Sequence, residues 1–160
     1  MNQLIAQLDT RLCRHRPDYY GSLQSGVTEE ALNKLQQSLS SHLPPIFLDL
    51  YRWRNGQAAN CSANLIDNWM FCSLEDVVST KEMLDGMIGF DFEDPRWWGR
   101  GWVPFLSNGG GDYLCIDLTA EFGGTPGQLI AFFHDWEKRP VKFADMQTWL
   151  QTLVASLPTA

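Results

Sequence analysis

The sequence predicts an α+β domain, and three observations carry that prediction. Apolar residues recur at helical spacing through most of the first ninety positions and again at the C-terminal end. Short β-type segments gather between them, separated by glycine-rich turns. No strand–helix–strand alternation asks for a parallel sheet, and the connections are short enough for antiparallel pairing. With 160 residues, 44% of them hydrophobic and 19% charged, the chain is expected to form one globular domain (residues 1–160) with its own core. No internal repeat, low-complexity tract or linker divides it.

Leu4, Ile5, Leu8 and Leu12 fall on one face of a first helix. RPDYYGSLQSG then reads as polar and turn-rich. Thr28 is placed as an N-cap, with Glu29 and Glu30 in the first turn where the helix dipole favours acids, and Leu32, Leu35 and Leu39 as the apolar stripe. Pro45 suits the first turn of another helix, with Ile46, Phe47, Leu50 and Tyr51 on one face and Asn55-Gly56 expected as a left-handed stop. Trp69–Cys72 is read as a short strand. Ser73 caps a helix running to about Met87, with Leu74, Val77, Val78, Leu84 and Met87 facing inward. FDFEDPRWWGRG is an irregular acidic and aromatic loop. Trp102–Phe105, Asp112–Leu118, Leu129–Phe133 and Val141–Phe143 follow as short strands. A last helix starts near Asp145, with Met146, Trp149, Leu150, Leu153, Val154 and Leu157 at helical spacing.

Charge is distributed unevenly. Residues 1–54 carry six Lys/Arg against five Asp/Glu, whereas the remainder carries six against fourteen, giving the net −7 of the whole chain. Between residues 75 and 94, Glu75, Asp76, Glu82, Asp85, Asp91, Glu93 and Asp94 face Lys81 alone. Such a field repels a phosphate backbone and attracts basic partners, so nucleic acid is not an expected ligand. The longest unbroken apolar run, Leu129–Phe133, is far too short to span a bilayer, and no charged start leads into a long apolar block. The four cysteines (Cys13, Cys61, Cys72, Cys115) form no CxxC pair. A cytoplasmic protein without membrane association is expected.

The triplet Gly109–Gly111 raises the question of catalysis. A phosphate loop needs Lys and Ser/Thr after its glycines and then a helix, whereas Asp112 and Tyr113 follow here and open a strand. Ser107, His134 and Asp135 can be drawn as a triad, yet no GxSxG elbow surrounds Ser107. His134-Asp135-Trp136-Glu137 is the one tight run of possible metal ligands, and on a β-turn its side chains diverge. No catalytic set, metal or cofactor is therefore expected. Asn108, Gly109, Gly110 and Gly111 are assigned to a structural turn, after which Leu114, Ile116 and Leu118 point into a core while Tyr113, Cys115 and Asp117 point the other way.

The order of features carries more information than any single motif. A helix leads into Leu43-Pro44, then an aromatic-aliphatic helix ends in Asn55-Gly56. Trp102-Val103-Pro104-Phe105 precedes the Gly110-Gly111-Asp112 turn and its YLCIDL strand, then come GQLIAFFHD and a closing Phe143…Trp149-Leu150 helix. This order resembles the SUKH superfamily, the proteins related to the fungal cell-wall assembly regulators called Smi and Knr. The resemblance covers about residues 28–157 and leaves 1–27 as an N-terminal helical extension. It implies a non-enzymatic binding protein. Bacterial members are typically immunity proteins that bind and neutralise a cognate toxin, often a nuclease; fungal members are scaffolds in cell-wall signalling. An immunity protein directed at a basic toxin domain is the leading expectation. A cytosolic regulatory scaffold is the alternative, and a small-ligand binder or enzyme working near Asp112, His134 and Asp135 is a third. Candidate partner-binding residues are Asp91, Glu93, Asp94, Trp97, Trp98 and Asp112. Trp102 is expected in the core. For Trp97 and Trp98 burial and exposure both stay open, since consecutive residues seldom both face inward.

Overall fold

The computed structural model describes residues 1–159. In chain order its elements are α1 (Gln3–His15), α2 (Pro17–Ser22), β1 (Leu23–Ser25), α3 (Glu29–Ser38), α4 (Pro45–Trp53), β2 (Arg54–Gln57), β3 (Met70–Phe71), α5 (Leu74–Met87), β4 (Trp102–Ser107), β5 (Tyr113–Asp117), β6 (Leu129–Phe132), β7 (Val141–Phe143) and α6 (Met146–Ser156). Strands β3 to β7 form one antiparallel sheet in sequence order, and β1 pairs with β2 in a separate two-stranded ribbon. The chain is a single α+β domain.

Local chemistry sets the helix starts. The Asn2 side chain accepts from the Leu4 amide, Thr28 from Ala31, Ser73 from Asp76 and Asp145 from Thr148, so each helix satisfies a free N–H with the side chain just before it. Helix α4 has no such cap and begins instead on Pro45, whose missing N–H needs none. Their apolar faces meet one face of the sheet. Ile5, Leu8 and Leu12 of α1, Phe47, Leu50 and Tyr51 of α4, and Trp149, Leu150 and Leu153 of α6 pack with Val103, Phe105, Leu114, Ile116 and Leu129 of the strands. Phe105 meets Trp149 edge-on at 5.1 Å, and Phe47 lies 4.8 Å from Tyr51. Burying each such side chain contributes about 1.5–3 kcal/mol against leaving it in water.

The opposite sheet face is covered as well. Strand β5 alternates as expected: Leu114 and Ile116 enter the larger cluster, while Cys115 enters a second one with Leu84, Trp98, Trp102, Ile130 and Phe132. A register shift between Pro104 and Leu106 lets Phe105 and Leu106 both join the larger cluster. Helix α5 serves both sides, giving Leu74 and Val77 to the first cluster and Leu84 to the second.

Two stretches differ from the expectations above. Residues 17–25, read as turn-rich, form α2 and β1, because Tyr19 is buried with its hydroxyl donating to Gln57 Oε1 at 2.9 Å. Their order comes from a partner thirty-eight positions away. Asn55-Gly56 is not a helix stop: α4 ends at Trp53 and runs straight into β2. Gly56 does take a positive φ of 67°, but its role is close approach, since a Cβ there would sit 2.5 Å from the Cys72 carbonyl and the Ser73 amide nitrogen.

The glycine triplet is the β4–β5 turn. Asn108 Oδ1 accepts from the Gly110 and Asp112 amides at 2.8 and 3.0 Å, and Ser107 Oγ accepts from Gly109 at 3.0 Å. Gly109 and Gly111 lie at φ 79° and 98°, whereas Gly110 has no positive φ and a Cβ there would make only ordinary contact with the Asn108 side chain, at 3.5 Å. Gly109→Ala and Gly111→Ala are each expected to cost about 1 kcal/mol and Gly110→Ala close to nothing. Thermal melts of the three single variants check this; equal losses at all three positions would contradict the turn geometry.

Candidate functional site

The acidic stretch divides into two groups of residues. Glu75 and Asp76 occupy the first turn of α5, where unpaired amides favour negative charge. Asn55 Nδ2 donates to Glu75 at 3.0 Å, and that hydrogen bond is the chief reason the Glu75 carboxyl lies below its ordinary value. Asp85 is tied inward: it accepts from Trp98 Nε1 at 2.8 Å and from Lys81 Nζ at 3.3 Å. These three carboxylates serve the fold. Glu82, Asp91, Glu93 and Asp94 are exposed, and of these only Asp94 has a local task, accepting the Arg96 amide at 2.8 Å.

Lys81 is a residue that sequence spacing misses. It falls between Val77 and Leu84 on the buried face of α5, where an apolar residue would be expected. Its stem lies in the interior while Nζ donates to the Arg100 carbonyl at 2.6 Å and pairs with Asp85. It therefore anchors the chain just ahead of β4.

The loop after α5 projects from this anchor. Ile88 and Phe92 bridge, Gly89 turns at φ 80°, and Phe90 is lifted out at the tip, 83% exposed. Met83 is also exposed on the outer side of α5. Exposed apolar side chains set among carboxylates are the composition of a protein-binding surface. Beside it, a groove of about 390 Å³ opens between α3 and α5, floored by Leu35, Leu74 and Val78 and rimmed by Glu75, Glu82 and Lys34.

The two tryptophans part company. Trp98 is 1% exposed, set edge-on to Trp102 at 5.3 Å and to Phe132 at 5.2 Å, with its N–H spent on Asp85. Its assignment as a partner-binding residue is corrected: no part of it reaches the surface to be touched. Trp97 is half-buried under the Arg139 guanidinium at 4.7 Å. Asp112 is likewise committed to the fold. Its carboxylate accepts from Asn108 Nδ2 at 2.9 Å, from the His134 amide at 3.0 Å and from His134 Nδ1 at 2.7 Å, which stitches the β4–β5 turn to the end of β6. Asp91, Glu93 and Asp94 remain as surface candidates, and Phe90 joins them.

The Asp112–His134 contact also joins Asp135 in a cluster whose possible ligand atoms lie within 4.8 Å of one another. Asp112 lies outside the run His134–Glu137, and pairing across the sheet brings it to His134 and Asp135, the three residues grouped in the third reading. Ser107 Oγ is occupied by the Gly109 amide, and His134 Nδ1 faces Asp112. All four cysteines are free. Burial pushes the Cys72 thiol up to about 12, with Asp76 adding to the effect, and burial raises Cys115 well above its ordinary value. Neither thiol is poised as a thiolate nucleophile.

Burial works to raise the Asp112 carboxyl, but the hydrogen bonds from His134 and Asn108 and the His134 charge hold it below its ordinary 3.8. His134 is raised above 6.5, chiefly by its hydrogen bond to Asp112. The His134 contribution is complete below 6.5 and fades as pH rises through the raised value; that of Asp112 is complete above 3.8 and fades as pH falls through the lowered one. The contact is thus strongest between those two values. In an NMR titration His134 is expected to titrate above 6.5 and to return toward it in Asp112→Asn. An identical midpoint in both proteins would contradict the pairing. Separately, Trp98→Ala is expected to cost about 3–5 kcal/mol, as large truncations in a core do, while Phe90→Ala leaves the melting temperature nearly unchanged.

With this architecture in place, comparison with known proteins is informative at the level of family. The sequence model of the SMI1 / KNR4 family (SUKH-1) matches residues 26–152, from just before α3 into α6. No curated protein matches the chain in a sequence search. Among the described residues, no helix is long and apolar enough to cross a membrane. Helices α1 and α2 precede the matched span, yet Ile5, Leu8, Leu12 and Tyr19 lie in the same core as the rest. On a match that covers well over half of its length, this chain belongs to the SMI1 / KNR4 family (SUKH-1).

Proposed function

We propose that this chain is a non-enzymatic binding protein of the immunity type, which recognises a basic toxin domain and neutralises it in the cell that makes both. The observation that carries the reading is the exposed surface formed by α5 and the loop after it. Glu82, Asp91, Glu93 and Asp94 stand unpaired with any cation within 4.0 Å among the described residues, and Phe90 projects from their midst. A field of one sign accelerates encounter with a partner of the other, and an exposed aromatic slows its departure. The acidic-rimmed groove between α3 and α5 offers the same partner an aliphatic floor. Family membership supports a protein partner, and a −7 chain is poorly suited to nucleic acid.

The test is functional and then kinetic. Co-expression with the product of the gene immediately upstream should relieve that product's toxicity, and the purified pair should associate more slowly as salt is added. Glu82, Asp91 and Glu93 are reversed to lysine together, sparing Asp94 because it holds the Arg96 amide. The association rate should fall roughly tenfold or more at low salt, with the melting temperature retained. Phe90→Ala should instead raise the dissociation rate, at a cost of about 2 kcal/mol for an anchor. A partner whose association is indifferent to salt and to the charge reversal would remove this face as the binding surface.

A further inference from the structure

On the sheet face that carries Trp98, a cavity of about 350 Å³ opens over β4, β6 and β7. Trp102 and Ile130 from the second core cluster form its floor, and Val141, which pairs with Ile130, extends it outward. Phe122 closes one side, edge-on to Trp102 at 5.8 Å. That wall is held in place by a buried polar pair. Asp117 accepts from the Ala120 amide at 2.9 Å and from Gln128 Nε2 at 3.0 Å, while Gln128 also binds the Gly123 carbonyl at 2.9 Å and the Thr125 amide at 3.1 Å. Ala120 is held at φ 50°, a conformation that only surrounding structure makes a non-glycine residue keep. The apolar part of the cavity is preformed.

Arg139 borders the same space in an unusual state for a cation. Its guanidinium is sandwiched between Trp97 at 4.7 Å and Phe132 at 4.6 Å. Nε donates to the Trp97 carbonyl at 3.0 Å and Nη1 to the carbonyls of Trp136 and Lys138, but Nη2 is buried with no partner. Among the described residues no carboxylate lies within 4.0 Å of it. A half-buried charge with a spare donor and no counterion is costly, and an anion in the cavity would offset that cost. Arg96 lines the same cavity, its guanidinium 6.0 Å over the Phe122 ring, and the Trp102 indole N–H is also unpartnered. Asp117 and Glu137 line the cavity as well, so in a chain of net −7 its two arginines bring the local charge to balance.

We propose that this cavity binds a carboxylate carried next to an apolar group, with Arg96 taking the carboxylate, Arg139 adding its charge, and Trp102, Phe122 and Ile130 taking the apolar body. The exposed Arg96 guanidinium offers a fork that suits the two oxygens of a carboxylate, the Arg139 charge lies behind it, and the aromatic floor suits a ring or branched side chain. Asp117 and Glu137, which also line the cavity, oppose the anion and limit affinity. The site uses none of the acidic-surface residues and stands whether or not the partner there is a toxin. The ligand chemistry has two sources, a free small carboxylate or the C-terminal residue of another chain.

The experiment follows amide and aromatic NMR signals of the intact protein during titration with N-acetylphenylalanine, its uncharged amide, and the acid and amide forms of acetyl-Gly-Gly-Phe. The acids are expected to bind saturably, with shifts at Phe122 and Arg139, and the amides about tenfold or more weaker, as loss of a charged hydrogen-bond pair implies. Arg96→Ala, at an exposed position, should weaken the acids by a similar factor, and Glu137→Gln should tighten them several-fold. A peptide acid at least tenfold tighter than N-acetylphenylalanine assigns the site to a chain terminus; equal affinities assign it to a free carboxylate. No saturable binding, equal binding of acid and amide, or indifference to both Arg96→Ala and Glu137→Gln overturns the proposal.

Discussion

The fold depends on the close approach of residues 51–57 to the chain at 71–75. Tyr51 donates its hydroxyl to the Cys72 carbonyl at 2.9 Å, and Asn55 Oδ1 accepts the Leu74 amide at 2.6 Å. Gly56 leaves room for the Cys72–Ser73 peptide, and Gln57 Oε1 accepts the Phe71 amide at 2.9 Å while its Nε2 binds the carbonyls of Cys61 and Ala63. Tyr51, Asn55 and Gln57 thus satisfy backbone groups between Cys61 and Leu74 that would otherwise be left open. The helical first half is joined to the sheet through this seam. Any side chain at position 56 would separate the two.

From that seam α5 inherits its direction, and its two faces then divide the labour. The inner face reaches both apolar clusters, and Lys81 and Asp85 fix the far end by holding Trp98 and the Arg100 carbonyl. The outer face is left with acids and Met83. Local negative charge here is partly a by-product of building a helix start and an anchor. Only the residue beyond that structural need is free to act on a partner.

What was legible in the sequence was what depends on near neighbours. The caps at Thr28 and Ser73 could be read because donor and acceptor lie three residues apart. Strands β4 to β6 could be read because alternation and turn glycines sit within a few positions. Tyr19, Asn55, Lys81 and Trp98 could not, because each owes its place to a partner between thirteen and thirty-eight positions away. The charge of the acidic stretch was countable, but which carboxylates were already occupied was a matter of tertiary contact. Asp112 shows the same limit: its sequence neighbours suggested a surface acid, and His134, in the turn just after the next strand, made it a strut.

The position of α1 has a bearing on how the protein is made. Arg11 Nη1 donates to the Val154 carbonyl at 2.8 Å and to that of Leu157 at 3.3 Å, satisfying acceptors at the end of α6 across 143 intervening steps of chain. Ile5, Leu8 and Leu12 are fully buried in the cluster that Trp149, Leu150 and Leu153 complete. During synthesis α1 therefore emerges with an apolar stripe whose cover, α6, lies 143 positions further along the chain. Until α6 has been made, that stripe is open to chaperones or to neighbouring nascent chains.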